Sequence, residues 1–322
     1  MKSTMRRLSL IKRGAVNFVT KRPFCVSFEI THSCNARCKH CHLGGPVQEE
    51  RASPQKLGEI CRTLKPMVAQ LSGGEPLLRN DVLKIAREFK RPNRAPYIVI
   101  TTNGALLTKD KYYQLLQAGV DEISLSLDYP DERHDEFRGI PGLFGKIQDL
   151  VQGVDSGKNR AVTLCCVVQS DNFRDLPKMA ELAKRWGVRL NFSAYTRLRT
   201  NNSGYLLSKA EIDEFKKVVA SLLEFKERYR TIFTSGYVFG KMIEYFERGT
   251  APNCRTGERF FNVNPNGTLS PCGLIIKNYA TQRELRELFS KNNECSFCYT
   301  SIRANTEKPV GRSIKDGLRS LR

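Results

Sequence analysis

Six short apolar runs punctuate residues 25–195: CVSFEI, MVAQLSGG, YIVITTNG, EISLSLD, AVTLCCVVQ and VRLNFSAY, most of them about 25 to 45 residues apart with helical patterns between. That rhythm is the signature of βα units, in which parallel strands form a sheet and helices cover its outer face. Six strands fall short of the eight that close a full barrel. The expected fold class is therefore α/β, a partial (β/α)6 TIM-like barrel. Sites in barrels of this kind are built where the strands end, so the residues just past each run are the first candidates for chemistry.

The first run leads directly into THSCNARCKHCHLGG, a loop with Cys34, Cys38 and Cys41 in C-x3-C-x2-C spacing. Three thiolates on one loop can ligate three irons of a cubane and leave the fourth iron open to another ligand. A zinc site made from these cysteines and His42 is the alternative reading.

The cysteine spacing, together with motifs further along the chain, resembles the radical S-adenosylmethionine (SAM) superfamily over about residues 24–200. QLSGGEPLL places Ser72, Gly73, Gly74 and Glu75 at the end of the second run and matches the GGEP motif of that family. The resemblance implies a [4Fe-4S] cluster on Cys34, Cys38 and Cys41, whose open iron takes the amino and carboxylate groups of SAM. It also implies that the Gly-Gly-Glu segment meets the methionyl ammonium and that His40, at a position usually aromatic in the family, lies near the adenine. Thr102 and Asn103 end the third run, while Ser124, Ser126 and Asp128 share one face of the fourth by alternation. By resemblance, Ser126 and Asp128 are candidates for the ribose and carboxylate of SAM. HDEFRG, residues 134–139, is similar to a segment of peptide-modifying relatives, which makes Arg138 a candidate partner for the SAM carboxylate. Cys25, Cys61, Cys165 and Cys166 read as small apolar residues, and at most one of the adjacent pair can face the barrel interior.

A second cysteine group lies near the C-terminus. Cys254 and Cys272 flank a hairpin signalled by Asn266-Gly267, and Cys295 and Cys298 stand in C-x2-C spacing. Four thiolates fill a cubane completely and leave no open iron; they would equally suit structural zinc. The pattern resembles the SPASM and twitch auxiliary-cluster domains, and four cysteines after residue 250 match the shorter, single-cluster twitch form. A hairpin-plus-helix twitch-like extension with a second, fully ligated [4Fe-4S] cluster is the expectation.

The expected organisation is a basic amphipathic helix over 1–22, the core barrel over 23–200, a helical bridge over 201–250 capped by Ser208 and Glu211, the auxiliary-cluster region over 251–300, and a basic tail over 301–322, much of it poorly ordered or docked late. Residues 1–22 hold seven Lys or Arg and no acid, with Met5, Leu8, Ile11, Ala15, Phe18 and Val19 at roughly helical spacing. Such a helix either caps the barrel or lies on an anionic membrane.

With no uninterrupted apolar run of about 18 residues and no secretory signal, the chain reads as cytoplasmic, with peripheral membrane attachment as the alternative. Seven of its eleven cysteines have metal-ligand spacing, which suits a reducing compartment better than a disulfide framework does. The net charge of +20 predicts attraction to something anionic. No helix-turn-helix, zinc-finger or RNA-binding signature accompanies it, so specific nucleic-acid binding is not expected.

By resemblance, the chain is expected to be a radical SAM enzyme. A flavodoxin- or ferredoxin-type donor reduces the cluster, SAM is cleaved to a 5′-deoxyadenosyl radical, and hydrogen is taken from an unidentified substrate. An oxidoreductase-type step on a small molecule is the first reading; a peptide or protein maturase, or modification of a lipid-linked substrate, are the others.

Overall fold

In the computed structural model the described residues are 2–90, 95–154, 161–309 and 311–312. All six expected strands form: β1 (Cys25–Thr31), β2 (Val68–Gly73), β3 (Tyr97–Thr102), β4 (Glu122–Ser126), β5 (Val162–Val168) and β6 (Arg189–Ala194). They pair in parallel in chain order, each with the next. Between them run α2 (Pro54–Leu64), α3 (Val82–Phe89), α4 (Lys109–Ala118), α5 (Arg133–Arg138), α6 (Leu143–Gly153) and α7 (Leu176–Arg185), preceded by α1 (Lys2–Val19).

Local chemistry sets these boundaries. Ser53 Oγ accepts from the Lys56 amide at the start of α2, with Pro54 in the first turn, and Thr108 Oγ1 caps α4 through Lys111. Beyond the barrel lie α8 (Ile212–Tyr229) and α9 (Gly236–Arg248). The expected capping box of Ser208 and Glu211 is present on the 3-10 turn Lys209–Glu211 that leads into α8, with the Ser208 amide donating to Glu211 Oε2 at 2.9 Å.

The two faces of the sheet differ sharply. Val26, Phe28, Ala69, Leu71, Ile98, Ile100, Ile123 and Leu125 are buried in the core that the helices cover. The opposite parity carries Gln70, Thr101, Ser124, Cys165 and Asn191, all half-buried. A full TIM barrel fills its interior with branched apolar layers; this sheet instead presents a hydrogen-bonding inner face.

The sheet is not closed, and it is longer than six strands. The C-terminal hairpin, β7 (Phe260–Val263) and β8 (Leu269–Ser270), continues it, giving the order β6-β5-β4-β3-β2-β1-β7-β8. β7 runs parallel to β1, with Cys25 opposite Phe260 and Phe28 opposite Val263. A free β1 edge would leave a row of unpaired backbone groups, and the hairpin satisfies them. Its turn follows the expected Asn-Gly signal, with Gly267 at φ +91.

Two elements near the termini pack against the barrel. The segment read as the start of a tail that is poorly ordered or docked late opens with a docked helix, α11 (Ser301–Thr306), which comes after α10 (Gln282–Leu288) and packs against β6, β7 and α9. Arg303 and Ala304 are buried there, while the tail beyond residue 312 lies outside the described residues. In α1, Leu8, Ile11, Ala15, Phe18 and Val19 are exposed; the helix meets the barrel through Arg13, Gly14 and Asn17 instead.

Candidate functional site

The loop carrying Cys34, Cys38 and Cys41 extends from the end of β1, and the loops after β2, β3 and β4 hold it in place. Gly73 sits at φ +121 against the Thr31 carbonyl, and a Cβ at Gly74 would collide with the Ser33 carbonyl oxygen. The Gly74 and Glu75 amides donate to Thr31 and Ser33 carbonyls at 2.7 and 2.9 Å. Ser72 Oγ meets Ser27 Oγ at 2.6 Å inside the barrel.

Glu75 is fully buried and accepts from three donors: Leu77 N at 3.0 Å, Thr102 Oγ1 at 2.7 Å and Asn103 N at 2.8 Å. Burial pushes its carboxyl above the ordinary range against those bonds. Asn103 Nδ2 continues the chain of contacts to Asn35 Oδ1, 2.8 Å away, inside the cysteine loop.

The HDEFRG segment forms α5 and lies against the same loop. Arg37 N and Lys39 N donate to the carbonyls of Arg138 and Phe137, both at 3.0 Å. Phe137 stacks on His40 with ring centroids 4.9 Å apart and planes 19° from parallel. His40 is buried, and burial with the nearby Arg138 cation holds its imidazole neutral, its pKa lowered to about 3. Its Nδ1 is buried with no hydrogen-bond partner.

Arg138 turns both Nε and Nη2 to Asp128 Oδ2, and Asp128 Oδ1 also accepts from Val167 N at 3.0 Å. The carboxylate-binding edge of Arg138 thus meets a carboxylate of the chain itself. Ser126, at the end of β4, stays half-buried on the inner face.

All eleven cysteines are free thiols. Among the described residues, no three His, Cys, Asp or Glu side chains are drawn together tightly enough for a single metal ion. Burial raises Cys34 to about 11, with Cys38 and Cys41 adding to the rise, and burial likewise raises Cys38 against the opposing pull of Arg138.

Each of the three sulfurs has an N–H aimed at it: Ala36 N to Cys34 at 3.4 Å, Arg138 Nη1 to Cys38 at 3.6 Å, and Arg199 Nη1 to Cys41 at 3.6 Å. Free thiols on a strand-end loop, with amide and guanidinium donors facing the sulfurs, fit an iron-sulfur cluster held by three thiolates. Arg199 does not stand out in the sequence; its position just past the sixth run is the one available signal.

Cys254 precedes the hairpin, Cys272 follows β8, and Cys295 and Cys298 stand in the loop before α11; among the described residues they form no group that could hold a single metal ion. Burial raises Cys254 and Cys298 to about 12 and Cys272 to about 11, and backbone amides of Leu274 and Ile275 partly offset the rise at Cys272. Arg303 ties the region together: Nη1 donates to the Cys298 carbonyl and Nη2 to the Pro252 carbonyl, both at 2.7 Å, and Nε to Glu307 at 2.9 Å. Asn293 links Cys254 O and Cys295 N. The Phe297 carbonyl accepts from Thr196 Oγ1 and Tyr245 OH, which docks this loop onto the end of β6.

Fold and site together define a class: an open parallel barrel with a three-thiol loop after β1 and a Gly-Gly-Glu loop after β2. Residues 28–183 match the Radical SAM superfamily, and the chain carries a radical SAM domain. It is 34% identical over 179 residues to an AdoMet-dependent heme synthase of Methanosarcina barkeri, covering 53% of this chain and 50% of that protein. A PqqA peptide cyclase of Granulibacter bethesdensis is 28% identical over 263 residues, covering 78% of this chain and 67% of that one. Among solved structures, Streptococcus suis SuiB bound to its precursor peptide SuiA shares the fold with a TM-score of 0.65 at 15% identity, covering 86% of this chain and 67% of SuiB. The chain thus spans about half the length of the heme synthase it matches. Curated relatives carry enzyme names of differing chemistry, heme synthase and peptide cyclase among them.

Proposed function

We propose that this chain is a radical SAM enzyme, with a [4Fe-4S] cluster on Cys34, Cys38 and Cys41 and SAM at the open iron, acting on a polar small molecule in an oxidoreductase-type step. The observation that carries the reading is the N–H donor facing each of the three sulfurs. When bound, the cluster and SAM supply a 5′-deoxyadenosyl radical able to take hydrogen from an unactivated carbon.

The chain's own residues hold that chemistry in place. Arg138 and Arg199 aim N–H donors at the Cys38 and Cys41 sulfurs, and Glu75 locks the loops after β2 and β3 to the cysteine loop. Neutral His40, stacked on Phe137, presents an unpartnered Nδ1 suited to an adenine edge. Ser72, Gly73, Gly74 and Asn103 shape the floor for the methionyl group, with Ser126 and the buried Asp128–Arg138 pair on the ribose side. Gln70, Thr101, Ser124 and Asn191 on the inner face favour a substrate rich in hydrogen-bonding groups.

Cys254, Cys272, Cys295 and Cys298 would hold a second, fully ligated [4Fe-4S] cluster in a twitch-like arrangement, able to take the substrate's second electron. A flavodoxin- or ferredoxin-type donor and a cytoplasmic location complete the reading. Likeness to a peptide cyclase over 78% of the chain supports a second one, a peptide substrate.

The test is electron paramagnetic resonance of the anaerobically reconstituted, reduced protein, titrated with SAM. SAM should alter the signal in wild type and in Cys295→Ala. A signal that SAM leaves unchanged in wild type would overturn the assignment.

A further inference from the structure

Helix α1 is seated on the barrel by the side that an amphipathic helix normally turns to water. Asn17 is buried, and its Nδ2 donates to the carbonyls of Pro23 at 2.7 Å and Lys65 at 2.9 Å. Arg13 Nη1 reaches the Lys65 carbonyl at 3.3 Å, and Ser9 Oγ accepts from the Ala95 amide at 3.3 Å. Gly14 lets the helix close on Met67, whose sulfur would lie 3.2 Å from a Cβ at that position.

Outward go Leu8, Ile11, Phe18 and Val19, at 61, 68, 45 and 79% exposure, with Ala15 exposed among them. Steps of three and four residues place these side chains on one stripe. Lys12 and Lys21 are exposed beside it, and the Arg259 guanidinium lies 4.6 Å from the centre of the Phe18 ring. Residues 1–22 contain seven Lys or Arg and no Asp or Glu, in a chain of net charge +20.

We propose that this face docks on an anionic lipid surface. The helix would lie in the plane of the interface, its apolar stripe at the acyl boundary and its lysines among the headgroups. Charge argues for lipid over a second copy of this chain, because a symmetric contact would bring together two segments that each carry seven Lys or Arg and no Asp or Glu. No helix among the described residues is long and apolar enough to cross a membrane, so the attachment is peripheral.

The placement has a consequence for the site. The α1 contacts fall at Phe24, Lys65, Met67 and Ala95, at the starts of β1, β2 and β3. The cysteine loop lies at the opposite, C-terminal ends. Docking through α1 therefore turns the thiol loop and the barrel mouth away from the bilayer, leaving them open to the aqueous phase. This inference does not rest on the proposed chemistry.

The test is co-sedimentation of the purified full chain with vesicles of phosphatidylcholine alone or containing one-quarter phosphatidylglycerol, at low and high salt. Binding is expected to the anionic vesicles only, to weaken at high salt, and to fall at least tenfold in a Leu8→Asp/Ile11→Asp variant whose urea midpoint matches wild type. Wild-type protein that stays in solution with anionic vesicles would overturn the proposal, as would undiminished binding by the well-folded variant. A dimer that this variant dissolves, without vesicle binding by wild type, would reassign the stripe to a contact between copies.

Discussion

Arg138 closes on Asp128 with two of its nitrogens, Nε at 2.8 Å and Nη2 at 2.6 Å from the same carboxylate oxygen, while Nη1 points at Cys38 Sγ 3.6 Å away. Asp128 is wholly buried. Burial alone would raise its carboxyl, but the Arg138 cation brings it below the ordinary value. The pair thus places one charge-balanced unit between β4 and the cysteine loop.

Asp128→Asn should therefore be strongly destabilising, because it leaves the Arg138 guanidinium buried without its counter-ion. A loss of about 3–5 kcal/mol is expected, read as a lowered urea midpoint. An unchanged midpoint would mean that water or Cys38 already carries the Arg138 charge.

His134 sets an acid limit to stability. It is completely buried, its Nδ1 accepts from the Asp128 amide, and burial with the Arg138 cation lowers its pKa to about 4. The unfolded chain takes up this proton below about pH 6.5 and the folded chain resists it until about pH 4, so stability falls across that window, by about 1.4 kcal/mol per pH unit at most. His40 acts in the same direction. Urea midpoints at about pH 7.5 and about pH 5 should differ more in wild type than in His134→Asn, whose side-chain oxygen can still accept from Asp128 N. Equal differences would exclude His134 as a cause.

Gly74→Ala forces a methyl group into the Ser33 carbonyl. The cysteine loop must shift, at a cost of about 1–3 kcal/mol for overpacking. Iron retained after anaerobic reconstitution should fall even where the protein still folds. Full iron content would show that the loop tolerates the displacement.

What was legible in the sequence is what local pattern controls. The six apolar runs spaced by helical patterns announced six strands, and Asn266-Gly267 announced the hairpin. Partners distant in sequence were not legible. Nothing local says that Phe260–Val263 will pair with β1 in parallel, because the free edge it covers exists only once the barrel has formed. Arg303 in a basic tail reads as solvated, yet it is almost completely buried because three acceptors converge on it. The apolar spacing in α1 was visible, but periodicity cannot say which face meets the barrel. At Asp128 the alternation gave a shared face with Ser124 and Ser126, while its pairing with Arg138 required the intervening turn to fold back.

Arg303→Met removes the donors to the Pro252 and Cys298 carbonyls and leaves Glu307 without its cation. Each buried carbonyl left unsatisfied costs about 1–3 kcal/mol. The C-terminal thiols should lose their alignment first, so iron should fall from about eight to about four per chain, the remainder on the N-terminal loop. Undiminished iron would show that Arg303 is not what aligns these thiols.

The central claim is tested most directly by the formation of 5′-deoxyadenosine. Protein reconstituted anaerobically with iron and sulfide, then given dithionite and SAM, should release 5′-deoxyadenosine in wild type and none in Cys38→Ala. Iron-loaded wild type that leaves SAM intact, or a Cys38→Ala variant that cleaves it equally well, would contradict the account.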